Sequence, residues 1–118
     1  MGATTLGPYT KYEIPDSLLV TFYQIDGVTP IDLSGYSVEV HWWIKSQSPA
    51  DTVQTFSGSL SDATNGIVAV PWSSATEVFE EVGLHEVEIW VGDGVNRYGS
   101  EIFRFQVRES VATSTPTV

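Results

Sequence analysis

The nine residues Ser37–Lys45, SVEVHWWIK, alternate apolar and polar almost without a break. Successive side chains of a strand point to opposite faces of its sheet. Val38, Val40, Trp42 and Ile44 therefore share one face. Ser37, Glu39, His41, Trp43 and Lys45 share the other. A helical period would mix the two sets, so the stretch reads as a strand with one buried face. The doublet is divided by this parity: Trp42 belongs to a core, and Trp43 faces outward with Glu39 and His41.

The same grammar recurs along the chain. Asp16–Ile25 (DSLLVTFYQI) is rich in β-formers and stops at the turn dipeptide Asp26-Gly27. Thr52–Leu60 (TVQTFSGSL) reads as a weaker edge strand, because Gly58 and its polar residues pack poorly. Ser61–Gly66 is a turn cluster, followed by a short strand over Ile67–Trp72. Trp72 is expected to cover one end of the core. In Leu84–Val91, His85, Val87, Ile89 and Val91 alternate with Leu84, Glu86, Glu88 and Trp90. His85 is expected to be a half-buried residue at the strand end. GDGVN makes a hairpin turn. Arg97–Val107 then places Phe103, Phe105 and Val107 inward, with Ile102, Arg104 and Gln106 outward. Ser73–Gly83 is the one helix-like stretch, with Ser74 as cap and Gly83 as stop.

Regularly spaced short strands with one brief helical connection predict an all-β fold. The expected architecture is an antiparallel immunoglobulin-like β-sandwich of about seven strands. Residues 1–109 form the sandwich and residues 110–118 a flexible C-terminal tail. The termini are expected to be arms that order on docking. The predicted core comprises Trp42, Val38, Val40, Val87, Ile89, Phe103 and Phe105. Each large ring buried there contributes about 1.5–3 kcal/mol. That contribution stands in for the disulfide of antibody domains, since the 118 residues include no cysteine.

Charge narrows the partners. Fifteen Asp and Glu against five Lys and Arg give a formal net charge of −10. Such a field repels a phosphate backbone and anionic lipid, so neither nucleic acid nor membrane is an expected partner. The N-terminus shows neither a basic start nor an apolar run of signal-peptide length. The expectation is a soluble chain that no standard route exports.

Chemistry is sparse. Without cysteine there is no zinc-thiolate site and no thiol nucleophile. No Gly-x-Ser-x-Gly elbow occurs. His41 and His85 fall on opposite faces of their strands, which separates the two imidazoles. The glycines of GDGVNRYG are followed by no helix, so a phosphate cradle is not expected. DATNG is too short for a calcium loop of the EF-hand kind. The expectations are no enzyme activity, no metal and no cofactor.

The outward face carries the functional reading. Sandwiches of this type pair the third strand with the penultimate one, and that with the last. One sheet face would then display Glu39, His41 and Trp43, then Glu86, Glu88 and Trp90, then Arg104 and Gln106. The plain reading is a solvated face on which Arg104 offsets glutamates, each exposed pair adding about 0.2–1 kcal/mol. The functional reading starts from two outward indoles, because Trp and Arg anchor protein interfaces. Trp43, Trp90, His41, Glu39, Glu86, Glu88 and Arg104 are the candidate interface. The alternative is a carbohydrate-binding adhesion surface, with Trp43 and Trp90 stacking on sugars and Glu86 and Glu88 accepting hydrogen bonds. An extracellular adhesion domain is a third reading, disfavoured by the lack of an export signal.

The order of segments adds a resemblance. LLVTFYQIDG, PIDLSGYSVEVHWWIK, DATNGIVAVPW, VGLHEVEIWVGDG and EIFRFQV follow one another. Asp32-Leu33-Ser34-Gly35 precedes the third strand, Asn65-Gly66 precedes a short strand, and Gly83 to Glu88 follows the helical connection. In this the chain resembles the immunoglobulin-like N-terminal domain of phage baseplate upper proteins and related phage virion domains, over Leu6 to Val107. The resemblance implies a structural or accessory virion component of baseplate, tail, neck or head. Such a protein is made in the host cytoplasm and works by assembly with other virion proteins. A homo-oligomer, trimer or higher, fits the same picture.

Overall fold

A computed structural model describes residues 3–44, 52–72 and 81–118. Among the described residues nine strands succeed one another: β1 Ala3–Thr5, β2 Tyr9–Thr10, β3 Leu18–Thr21, β4 Ser37–Ile44, β5 Thr52–Ser57, β6 Ser59–Asp62, β7 Ile67–Val70, β8 Gly83–Gly92 and β9 Arg97–Arg108. The larger sheet has the order β1-β9-β8-β4-β5, with β2 also paired to β9. The smaller has the order β3-β7-β6. These are the G-F-C-C′ and B-E-D arrangements of an immunoglobulin sandwich. The expected helix over Ser73–Gly83 falls largely on residues outside those described. Its last residue, Gly83, opens β8.

The segment read as a single edge strand is two strands on different sheets. β5 ends at Ser57 and β6 begins at Ser59, so Gly58 is the crossing point. A Cβ on Gly58 would meet Val38 Cγ1 at 2.6 Å. A side chain there would have to displace Val38, so the crossing is made at a glycine.

The N-terminal segment corrects another expectation. It is not an arm: β1 and β2 run parallel to β9, with Thr4 opposite Phe103 and Tyr9 opposite Val107. Leu6 N–H donates to the Arg104 carbonyl and Lys11 N–H to that of Arg108, each at 2.8 Å. The last strand would otherwise present an open row of backbone donors and acceptors. From Glu109 onward the chain forms neither strand nor helix.

The two sheets enclose an aromatic cluster. Val38, Val40, Trp42 and Ile44 of β4 are buried, as are Val87 and Ile89 of β8 and Phe103 and Phe105 of β9. Trp42 meets Trp72 edge-on at 5.1 Å between ring centroids and Phe105 at 5.5 Å. His85 is wholly buried, not half-buried, and stacks on Phe105 at 5.1 Å. The Trp42 Nε1–H donates to His85 Nδ1 at 2.9 Å. An indole nitrogen can only donate, so Nδ1 must be unprotonated. The remaining proton sits on Nε2, which lies 2.7 Å from the Glu81 carbonyl. Both ring nitrogens of a neutral imidazole are thereby used inside the core.

Burial holds the His85 pKa below the ordinary imidazole value, although the Glu81 carbonyl pulls the other way. A depressed folded-state pKa means that the unfolded chain binds more protons in the acid range. The stabilisation is therefore complete above the ordinary value of about 6.5 and fades as pH falls below it. Urea unfolding at pH 7.5 and 5.5 should show a loss on acidification that His85→Phe reduces. At pH 7.5 the same variant should be less stable by about 1–3 kcal/mol, because the Trp42 indole loses its acceptor.

Candidate functional site on the outer sheet face

Strand register turns the outward residues of β4, β8 and β9 into three rows. Trp43 stands opposite Glu86, and Glu86 opposite Arg104. His41 stands opposite Glu88, and Glu88 opposite Ile102. Glu39 stands opposite Trp90, and Trp90 opposite Gly99. The seven candidate interface residues therefore lie on one face. Gln106 lies further along β9, opposite Leu84, and is exposed.

Their environments differ from a simply solvated face. Glu86 is 7% exposed, which corrects its expected position as an open acceptor. Arg104 Nε and Nη2 donate to Glu86 Oε2 at 2.8 and 2.5 Å. The guanidinium can cross to β8 because the two residues are direct cross-strand neighbours. Glu39 Oε1 and His41 Nε2 lie 2.6 Å apart, two residues along the same face of β4. Trp90 Nε1–H donates to Glu88 Oε1 at 2.6 Å, by the same spacing on β8.

Trp90 has a structural task besides. A Cβ on Gly99 would lie 3.0 Å from two atoms of its ring, so the indole lies over the bare glycine backbone. Gly99 borders a bulge, where register shifts between Glu88 and Trp90 of β8. The Ile89 N–H at this irregularity donates to Ser100 Oγ at 2.9 Å, and that hydroxyl donates to the Glu101 carbonyl at 2.7 Å. The bulge resets parity along β9, so Gly99 and Ile102 can both face outward. Gly99-Ser100 inside a strand pattern was the signal for it, since isolated strand glycines mark bulges.

Ile102 is the residue that sequence reasoning left out of the site. It is 38% exposed and, with His41, Trp43, Glu86 and Glu88, lines a depression of about 290 Å³. Trp43 is half-buried there. A second groove of about 650 Å³ runs along the sheet end past Glu39, Trp90, Asp93 and Arg97. His41 and His85 lie on opposite sides of the larger sheet, as register requires. Among the described residues no group of three or more His, Cys, Asp or Glu is placed to hold a metal ion.

Fold and site together define an immunoglobulin-like β-sandwich that displays a sheet face of hydrogen-bonded acids with an apolar floor. Among solved structures, the chain is similar in fold to the N-terminal domain of ORF48 of phage TP901-1, with a TM-score of 0.56. That likeness covers 91% of this chain and 85% of the other at 14% sequence identity. No protein-family model and no curated protein matches.

The Glu86–Arg104 pair supplies a test of how this face is held. Arg104→Met removes both donors from a carboxylate that has little access to water. Because the Arg104 side chain is 43% exposed, the expected loss is moderate, about 1–2 kcal/mol. Urea unfolding of Arg104→Met, Glu86→Met and the double variant should show the double change to be less damaging than the two single losses added together.

Proposed function

We propose that the protein is a non-enzymatic phage virion component that acts by protein–protein assembly through the outer face of the larger sheet. The observation that carries this reading is the state of that face. Its acids are committed to neighbours within the chain, while Trp43 and Ile102 form an apolar floor open to solvent. A partner can bury such a floor without stripping water from unpaired carboxylates, and that kind of surface suits protein docking. The likeness in fold to a phage domain supports the same setting.

The sugar-binding alternative needs Glu86 and Glu88 as free acceptors for hydroxyls. Glu86 is held by Arg104 and Glu88 by the Trp90 indole, so that reading finds less support. Within a particle, many copies would each contribute a modest contact, and repetition would supply the strength. Trimeric or higher self-association belongs to the same proposal.

Mass spectrometry of purified phage particles tests the reading. The chain should be present in a fixed, reproducible copy number. Trp43→Ser should fold normally and lower incorporation about tenfold or more, as expected for loss of an aromatic anchor. Absence of the unaltered chain from particles would overturn the proposal.

A further inference from the structure

The tripeptide Asp-Gly-Val occurs twice, at Asp26–Val28 and Asp93–Val95. The first lies in the connection from β3 to β4, the second in the hairpin from β8 to β9. In each, one carboxylate oxygen of the Asp accepts the backbone N–H groups two and three residues on. Asp26 Oδ1 takes Val28 and Thr29, both at 2.9 Å. Asp93 Oδ1 takes Val95 at 2.9 Å and Asn96 at 2.7 Å. The glycines have φ of 72° and 94°, the left-handed region where a side chain would be strained.

Both turns close over their own backbone, so their tips are fixed. What they present is apolar: Val28 is 76% exposed, Val95 89% and Ile25 108%. A single exposed aliphatic residue is ordinary on a protein surface; here three β-branched ones sit on or beside two hydrogen-bonded turns at one end of the sandwich.

The fold brings the two turns to one end of the sandwich. Ser37, which closes the first connection, pairs with Gly92, which opens the second. Tyr36, just before Ser37, stacks on Tyr98 of β9 at 6.2 Å between ring centroids. Immunoglobulin variable domains recognise their ligands with the loops of this same end. The charge there is negative. Hydrogen bonds from Thr29 and Val28 hold the Asp26 carboxyl below its usual range, and those from Asn96 and Val95 do so for Asp93. Arg97 is the neighbouring cation, whereas Lys11 and Arg108 lie at the opposite end of β9.

We propose that the paired Asp-Gly-Val turns form a second docking surface, which seats Ile25, Val28 and Val95 in an apolar cleft rimmed by Lys or Arg on a different protein. The occupant follows from charge. A second copy presenting this same end would set Asp26 and Asp93 against their own counterparts, and the net charge of −10 repels nucleic acid or an anionic membrane. The surface is separate from the Trp43 face, but its place in assembly rests on the function proposed above.

A photo-crosslinking amino acid placed singly at positions 25, 28 and 95, with position 13 at the far end as control, tests this in the cells that make the chain naturally. The three tip positions should attach to one and the same protein, through peptides containing Lys or Arg. Val28→Ser with Val95→Ser should leave the unfolding midpoint unchanged, since both side chains are exposed. It should cut the yield from position 25 roughly tenfold. Yields no higher than at position 13, adducts with a second copy of this chain, or adducts with glycan or nucleic acid would each overturn the proposal. A shared partner that never enters particles would keep this surface and remove the virion reading. A chain found in particles with silent tips would do the reverse.

Discussion

The contact on which the rest of this sandwich depends is the hydrogen bond from the Trp42 indole to the buried imidazole of His85. Antibody domains pack the tryptophan of the corresponding strand against an inter-sheet disulfide. Here that space is filled by rings. Trp42 stands edge-on to Trp72, Phe105 and Phe56, while His85 lies flat on Phe105. The arrangement ties β4 to β8 within the larger sheet and to Trp72, which follows the strand β7 of the smaller one. A histidine suits the place because its two nitrogens can serve as one acceptor and one donor at once. The same property makes the core sensitive to a single proton.

Around that core, a few backbone devices decide what the outer face looks like. Gly58 lets the chain leave the larger sheet against Val38, which makes β5 the edge beside β4. The N-terminal strands cover the far edge of β9, so the face runs unbroken between them. The bulge beside Gly99 turns Ile102 and Arg104 outward in register with Glu88 and Glu86. The resulting rows set an acid beside an aromatic or cationic partner at each level. Such a face is not a solvated surface of free charges: its acids are hydrogen-bonded around a small apolar floor of Trp43 and Ile102.

Much of this was legible in the chain itself. Strict alternation in SVEVHWWIK and LHEVEIWV placed Trp42, Val87 and Ile89 inward and Trp43, Glu88 and Trp90 outward, because a strand leaves no other choice. The Asp-Gly and Asn-Gly pairs marked the turns. What alternation could not carry was depth. It gave Glu86 and Glu88 equal standing as outward acids, yet Arg104 draws one of them almost out of solvent. It put His85 on the inner face but could not show that Trp42 and the Glu81 carbonyl would satisfy both of its nitrogens there. It also read Thr52–Leu60 as one strand, because parity within a segment says nothing about which sheet each half joins.

The sequence by itself determined the class of fold, the side of each strand and the sign of the field around the molecule, since these follow from local periodicity and composition. Only the tertiary structure decided which outward residues meet. It set Trp43 beside Glu86, laid Trp90 over Gly99, and brought two Asp-Gly-Val turns from distant parts of the chain to one end. The physical reason is register: pairing between strands far apart in sequence is fixed by the packing of the whole core, and no single segment contains that information.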